Sequence, residues 1–254
     1  MKKLFLLLFL LLPSSVLAQY STHYMSWQRL EWQEKINSNT NFQFIYQHRR
    51  QDIEENAQIF THFFQQSIWT LLHYRPTKNI TISLSPFAFF HVSPFAITAS
   101  DLERSSRKEF RWTVRAGFSQ NLNNWTYLSR YGLEYRLVQS ADLKSYQANW
   151  RFRFQSRFQR PIHFLHEKTQ LIIFDELFVQ FGNGFNERFS IFDQNRVFLG
   201  LNIPISDKLN VEFGYMNIYQ ERGILPSFAM QHSLWINCIF QNLFKKRNEI
   251  SSKN

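Results

Sequence analysis

Polar and apolar residues alternate strictly over residues 146–158. One parity contains apolar and aromatic side chains, and the other contains amides and arginines, among them Arg151, Arg153 and Arg157. A period of two is typical of a β-strand whose two faces meet different surroundings. The stretch exceeds the usual strand of about 5–6 residues and fits the roughly 9–11 that cross a bilayer at a tilt. It therefore predicts a wall strand of a transmembrane barrel.

The same alternation recurs along the whole chain. It is found in residues 22–36, 40–50, 57–74, 79–92, 107–120, 125–138, 146–158, 169–181, 194–203, 208–220 and 229–244. These stretches are separated by turn signals and lack helical periodicity, so they predict one all-β domain, a transmembrane up-and-down antiparallel β-barrel of about 10 to 12 strands. Bacterial single-chain barrels have an even number of strands, which eleven stretches do not satisfy. Ten and twelve strands therefore both stay open.

The connections between these stretches alternate in length. Short polar turns are found at 37–39, 76–79, 121–124 and 204–207, and longer segments at 51–56, 93–106, 139–145, 182–193 and 221–227. The exception is 159–168, which is long for its place in the alternation. Outer-membrane barrels have short periplasmic turns and longer external loops, so this alternation favours a membrane barrel over a soluble one.

The N-terminus has the order of a secretory signal peptide. Lys2 and Lys3 precede an apolar run that ends at Leu12, and small residues lead to Ala18. The apolar run is too short to span a membrane as a helix, so cleavage near Ala18 is expected. The predicted organisation is a signal peptide at 1–18, a barrel at 19–244 and a polar C-terminal tail at 245–254.

Composition and charge agree with this interpretation. Aromatic residues make up 18% of the chain, with 28 Phe, although mean hydropathy is negative. A barrel reconciles the two, because each strand faces lipid only at every second residue.

Without Lys2 and Lys3, 27 basic residues stand against 19 acidic ones. The arginines recur at alternate strand positions instead of forming runs, so we expect a basic lumen and no nucleic-acid partner. The single Cys238 excludes an internal disulfide.

Several aromatic residues fall near the predicted strand ends. They are Trp27, Trp32, Trp69, Tyr74, Trp125, Tyr127, Tyr219 and Trp235. Amphipathic rings prefer the membrane interface, so the sequence predicts that they anchor the barrel there.

The polar parity defines a candidate network inside the barrel. Its predicted members are Arg111, Arg115, Arg130, Glu134, Arg136, Arg151, Arg153, Arg157, Glu176, Asp193, Arg196 and Glu212. Asp175 is an alternative to Glu176. Charges facing lipid near mid-bilayer would cost roughly 2–4 kcal/mol each, which assigns them inward. Two interpretations stay open: a salt-bridged plug, because buried charges demand partners, and a positive passage or pocket for small anionic solutes.

Catalytic and metal sites are not predicted. His232 and Ser233 are neighbours, but adjacent strand residues point to opposite faces and cannot pair. His163 and His166 lie in a connection with no helical frame to aim a third metal ligand. No cofactor is expected, and a lipid-modifying enzyme is retained only as the weakest alternative.

The last part of the barrel resembles a known family. The similar motifs are Arg130-x-x-x-Glu134-x-Arg136, Arg151-Phe-Arg153, Arg160-Pro161-Ile162, Asp175-Glu176-Leu177-Phe178, Phe192-Asp193-Gln194-Asn195-Arg196, Gly200-Leu201 and Gly214-Tyr215. They resemble the outer-membrane β-barrel family catalogued as domain of unknown function 2490, and the similarity extends over the mature chain. The resemblance implies a multi-pass barrel in the outer membrane of a Gram-negative bacterium, surrounded by outer-membrane lipid, with no assigned activity. The barrel-assembly machinery would have to recognise Phe240 or Phe244 internally, because a polar tail follows them.

Overall fold

The computed structural model describes residues 19–53, 58–96, 98–140, 144–162, 166–182, 191–222 and 227–244. The predicted signal peptide and C-terminal tail, and His163, lie outside these residues. The strands, numbered in chain order, are β1 (Gln19–Lys35), β2 (Thr40–Gln51), β3 (His62–Tyr74), β4 (Ile80–Val92), β5 (Arg107–Leu122), β6 (Trp125–Gln139), β7 (Tyr146–Pro161), β8 (Gln170–Phe181), β9 (Phe192–Ser206), β10 (Leu209–Glu221) and β11 (Ser227–Gln241).

Each alternating stretch of the sequence corresponds to one of these strands, so the predicted all-β barrel is confirmed. The largest difference in position concerns β3, which begins at His62 instead of residue 57. Consecutive strands pair antiparallel around the barrel, and β1 pairs with β11 to close it.

The expectation of an even strand number is wrong. The described part of the chain forms eleven strands, and the closing pair is parallel, with Trp27 opposite Trp235 in the register. In an up-and-down chain, each strand runs opposite to the strand before it. With an odd number of strands, the first and the last therefore run in the same direction. The remaining pairs are antiparallel.

The connections separate into two ends of the barrel. One end, called the turn end, holds connections 36–39, 75–79, 123–124, 162–169 and 207–208. The opposite end, called the loop end, holds connections 52–61, 93–106, 140–145, 182–191 and 222–226. The tightest turn contains Asn123 with a φ of 55°, a left-handed conformation that Asn tolerates.

The distribution of apolar and charged side chains is the reverse of that in a soluble protein. Large apolar residues on the outer face of the wall are exposed, such as Leu30, Leu84, Val114 and Leu199. Charged residues on the inner face are buried, such as Glu134. The two parities of each strand therefore face opposite environments, as the alternation predicts.

An irregularity in β4 changes which parity faces inward. Ser83 and Ser85 are buried at odd positions, whereas Ala88 and Phe90 are buried at even ones. The register between β4 and β5 shifts between Ser85 and Ala88. Pro86 lies in this bulge, where its missing N–H does not interrupt the ladder.

Helix is nearly absent from the described residues. A 3-10 helix, Ala99–Glu103, lies in the connection between β4 and β5. No helix in the described ranges has the length and apolar character that a membrane crossing would need.

Candidate functional site: an arginine-rich lumen

Buried ion pairs fill one side of the lumen, and their centre is Glu134 on β6. Its side chain is 0% exposed. Arg151 Nη2 lies 2.5 Å and Arg153 Nη1 2.6 Å from its two carboxylate oxygens, and Arg111 Nη1 lies 3.7 Å away. The register places Arg151 directly opposite Glu134 on β7. One carboxylate thus stabilises several buried guanidinium groups.

Further carboxylates extend this cluster across neighbouring strands. Glu176 contacts Arg153 at 2.7 Å, Arg130 at 3.4 Å and Arg196 at 3.6 Å. Asp193 Oδ2 lies 3.0 Å from Arg151 Nη1. Because Glu176 and Asp193 hold arginines that also contact Glu134, the ion pairs form one connected network.

Two other carboxylates form ion pairs nearer the two ends of the barrel. Glu109 lies 2.5 Å from Arg111 and 2.5 Å from Arg136. Glu212 Oε2 accepts a bond of 2.9 Å from Arg157. The other oxygen of Glu212 accepts a bond of 3.0 Å from the indole of Trp235.

All twelve predicted network residues are on the inner parity of their strands. Eleven of them make ion pairs within 4.0 Å with one another or with Glu109. Arg115 is the exception, since no carboxylate of the described residues lies that close to it. Asp175, the alternative to Glu176, is on the outer face and accepts a bond of 2.7 Å from Asn195.

Arg49 on β2 is a lumen residue that the sequence prediction missed. Its side chain is buried, with the residue 6% exposed. Its guanidinium carbon lies 3.2 Å from the ring centroid of Trp27, and within the described ranges no carboxylate comes within 4.0 Å. Arg29 and Glu31 on β1, which pair at 2.6 Å, were also missed. The inner parity of β1 contains both, so the signal was present in the sequence.

The placement of the aromatic belt is partly wrong. Trp27 and Trp235 are buried inside the barrel, where their rings meet edge to face with centroids 4.7 Å apart. Trp69 also lines the lumen. Trp27 and Trp235 belong to an apolar side of the interior, formed by Trp27, Ile172, Phe174, Phe198, Met216, Ile218 and Trp235. The lumen therefore has one ionic side and one apolar side.

Two glycines make room for this apolar side. Gly200 and Gly214 are paired directly across β9 and β10. A Cβ on either would collide with the ring of Phe198 and with a backbone carbonyl, that of Phe213 or Leu199. Glycine is thus required by close approach, which lets the fully buried Phe198 ring lie against the wall.

A cavity of about 600 Å³ runs through this interior. Eleven arginines line it, against five carboxylates. Its lining extends to the turn end, where it includes Arg75 and Asn79. A second cavity of about 270 Å³ lies at the loop end, and the two share Val92, Glu109 and Gln220.

Residues 93–96 occupy the lumen at the loop end. The ring of Phe95 lies 4.9 Å from that of His23 and 4.8 Å from that of Phe64, between centroids. Gln51 Nε2 donates to Pro94 O at 3.1 Å, and Ala96 N donates to Gln51 Oε1 at 3.2 Å. Both hydrogen bonds hold this segment against inward-facing residues. This segment therefore narrows the lumen at the loop end, whereas the larger cavity extends to the turn end.

Unpaired hydrogen-bond donors outnumber acceptors around the larger cavity. Among the described residues, the lining nitrogen atoms that are buried without a partner are Trp27 Nε1, Arg29 Nε, Arg49 Nε, Arg115 Nε and Nη2, Arg157 Nε and Arg196 Nε. The lining acceptor in the same state, within those residues, is Asn237 Oδ1. Buried polar groups normally have partners, so the side chains around this cavity are short of hydrogen-bond acceptors.

The family comparison agrees with the resemblance in the sequence. Residues 25–224 match the family described as protein of unknown function (DUF2490). The chain belongs to this family. Among curated proteins, none matches it. The matched range contains Glu134, Arg151, Arg153, Glu176 and Asp193, which form the centre of the ion-pair network.

The candidate catalytic pair is not assembled. Ser233 is buried on the inner parity, whereas His232 Nδ1 on the outer face hydrogen-bonds Tyr215 Oη at 2.5 Å. In the described part of the chain, no three His, Cys, Asp or Glu residues are grouped in a way that would hold a metal ion.

Proposed function

We propose that this DUF2490 member is an outer-membrane β-barrel whose lumen binds a small anionic solute. The exposed apolar residues of the outer face support a lipid environment, because water would leave this surface without apolar partners. The short connections of the turn end would face the periplasm and the longer ones the exterior. The cavity would then open towards the periplasm.

The observation that supports anion binding most strongly is the surplus of donors. Within the described residues, seven unpaired nitrogen atoms and one unpaired acceptor belong to side chains that line the larger cavity. Leaving a buried donor unsatisfied costs about 1–3 kcal/mol, and more for a charged group. An oxyanion supplies several acceptors and a negative charge together. It would therefore satisfy unpaired donors and balance the excess positive charge of the cavity lining.

The ion-pair network has a different role in this proposal. Glu134 and Glu176 neutralise most of the central arginines, as in the salt-bridged plug considered from the sequence. These pairs hold the wall of the cavity and position its charges. Binding, without free passage, is proposed because residues 93–96 occupy the lumen at the loop end, where Phe95 packs against His23 and Phe64. We propose no enzymatic role.

The membrane proposal predicts a dependence on amphiphiles during folding. A chain beginning at Gln19 is expected to refold from urea into detergent micelles and to aggregate in buffer alone, because its outer face is apolar. Far-UV circular dichroism and heat-dependent mobility in dodecyl sulfate gels measure the outcome. In cells, we expect outer-membrane fractionation and dependence on the barrel-assembly machinery, with Phe240 or Phe244 as the recognised residue. A monodisperse refolded chain without detergent would contradict the proposal.

The anion proposal predicts stabilisation by oxyanions. At constant ionic strength, phosphate or a carboxylate is expected to raise the free energy of unfolding relative to chloride, by about 2.7 kcal/mol at a hundred times its dissociation constant. Unfolding in micelles by urea, followed by tryptophan fluorescence, gives the measurement. The Arg49→Gln variant should lose this stabilisation, whereas Arg104→Gln, which changes an exposed residue outside the larger cavity, should retain it. Equal stability in every anion would refute the proposal.

A further inference from the structure

Arginine side chains and aromatic rings alternate in one row along the larger cavity. In order, the row contains Arg49, Trp27, Arg196, Phe178, Arg153, Trp69 and Arg115. The distances from guanidinium carbon to ring centroid along it are 3.2, 5.1, 4.5, 4.7, 5.7 and 4.7 Å. All lie within about 6 Å, the range in which a ring attracts a cation. The row therefore joins residues from β1, β2, β3, β5, β7, β8 and β9.

The two ends of this row differ from its middle. Arg196 and Arg153 in the middle both contact Glu176, at 3.6 and 2.7 Å. Within the described ranges, Arg49 and Arg115 at the ends have no carboxylate within 4.0 Å, although they are only 6% and 7% exposed. Arginines without a direct ion pair are thus located at two separate positions of one cavity.

Each terminal guanidinium has an aromatic ring on one of its faces. Arg49 is held against the face of Trp27, and Arg115 lies over Trp69. Within the described residues, Arg49 Nε and Arg115 Nε and Nη2 are buried and have no hydrogen-bond partner. A guanidinium edge matches an oxyanion in a bidentate arrangement, and a ring behind it limits the loss of side-chain entropy on binding.

We propose that the ligand carries two oxyanion groups, one bound at Arg49 and the other at Arg115. Its class is an organic dianion with charged ends, a dicarboxylate or a bisphosphate. A single small anion would neutralise one end of the row and leave the other uncompensated. Ile45 and Trp69, which are paired across β2 and β3 and line the cavity, provide apolar surface for a linker between the two ends. This inference rests on the proposed anion-binding function.

Calorimetric titration of the full mature barrel in micelles tests this inference. The probes are butyrate and adipate, which carry one and two carboxylates, and inorganic phosphate and pyrophosphate. Two linked sites raise affinity through effective concentration, so we expect each dianion to bind at least about tenfold more tightly than its one-group counterpart. The tighter of adipate and pyrophosphate identifies the oxyanion group.

Variants of Arg49 and Arg115 test whether each end of the row binds one oxyanion group. Arg49→Gln and Arg115→Gln should each reduce adipate affinity to near that of butyrate, whereas Arg104→Gln should leave it unchanged. Arg49→Lys retains charge but loses Nε, so it should fall between wild type and Arg49→Gln. Heat-dependent gel mobility checks the fold of every variant. Equal affinity of butyrate and adipate for the wild type would overturn the two-ended ligand and leave anion binding intact. Failure of all four probes would overturn both.

Discussion

Replacement of Glu134 by Gln is expected to lower the free energy of unfolding by about 3–5 kcal/mol, because removal of one partner leaves buried charges uncompensated. Glu134 is fully buried and contacts Arg151 and Arg153 at 2.5 and 2.6 Å. Gln has nearly the same shape, so the change removes charge without creating a cavity. Urea unfolding in micelles, followed by tryptophan fluorescence, measures the loss.

A matched control uses an exposed ion pair. Arg104 lies 3.5 Å from Asp101, and its side chain is 57% exposed. Arg104→Gln should change the free energy of unfolding by no more than about 0.5 kcal/mol, because water solvates both charges. A Glu134→Gln loss as small as this would show that water reaches the centre of the network and that its arginines are not confined there.

The strands were predictable because the sequence pattern depends only on local geometry. In β7, neighbouring side chains point outward or into the lumen whatever the rest of the barrel does, so alternation alone locates the strand. The closure was not predictable. The parallel pairing of Trp27 with Trp235 joins the two ends of the barrel sequence, and no neighbouring residue signals which direction the partner strand takes.

The candidate site was predictable where charge and parity agree. Glu134 and Arg151 follow the polar parity and form the centre of the network. Arg49 has the same parity as the buried Gln43 and Gln47 of β2, so the signal for its inward position was present in the sequence and was overlooked. Trp27 was assigned to the membrane interface because apolar residues were expected to face outward. The lumen has an apolar side, and for its residues that expectation fails.

Replacement of Arg49 by Met is expected to act in the opposite direction to replacement of Arg151 by Met. Both arginines are nearly fully buried, but Arg151 has two carboxylate partners and Arg49 has none in the described part of the chain. In buffer without oxyanions, Arg49→Met should stabilise the barrel by roughly 1–4 kcal/mol, by analogy with the gain when a complete buried ion pair is replaced by apolar residues. Arg151→Met should destabilise it by about 3–5 kcal/mol.

The opposite signs separate a binding residue from a structural one. A protein that keeps an unpaired buried charge at the expense of stability does so where function needs it, since activity and stability commonly conflict. Adding phosphate or adipate should therefore reverse the order of stability between wild type and Arg49→Met, because only the wild type gains binding energy. Urea titrations of the three proteins with and without the anion measure this. Destabilisation by Arg49→Met in oxyanion-free buffer would contradict this prediction. It would mean that the energy gained when Arg49 stacks on Trp27 exceeds the cost of desolvating its charge, and that Arg49 supports the wall without needing a ligand.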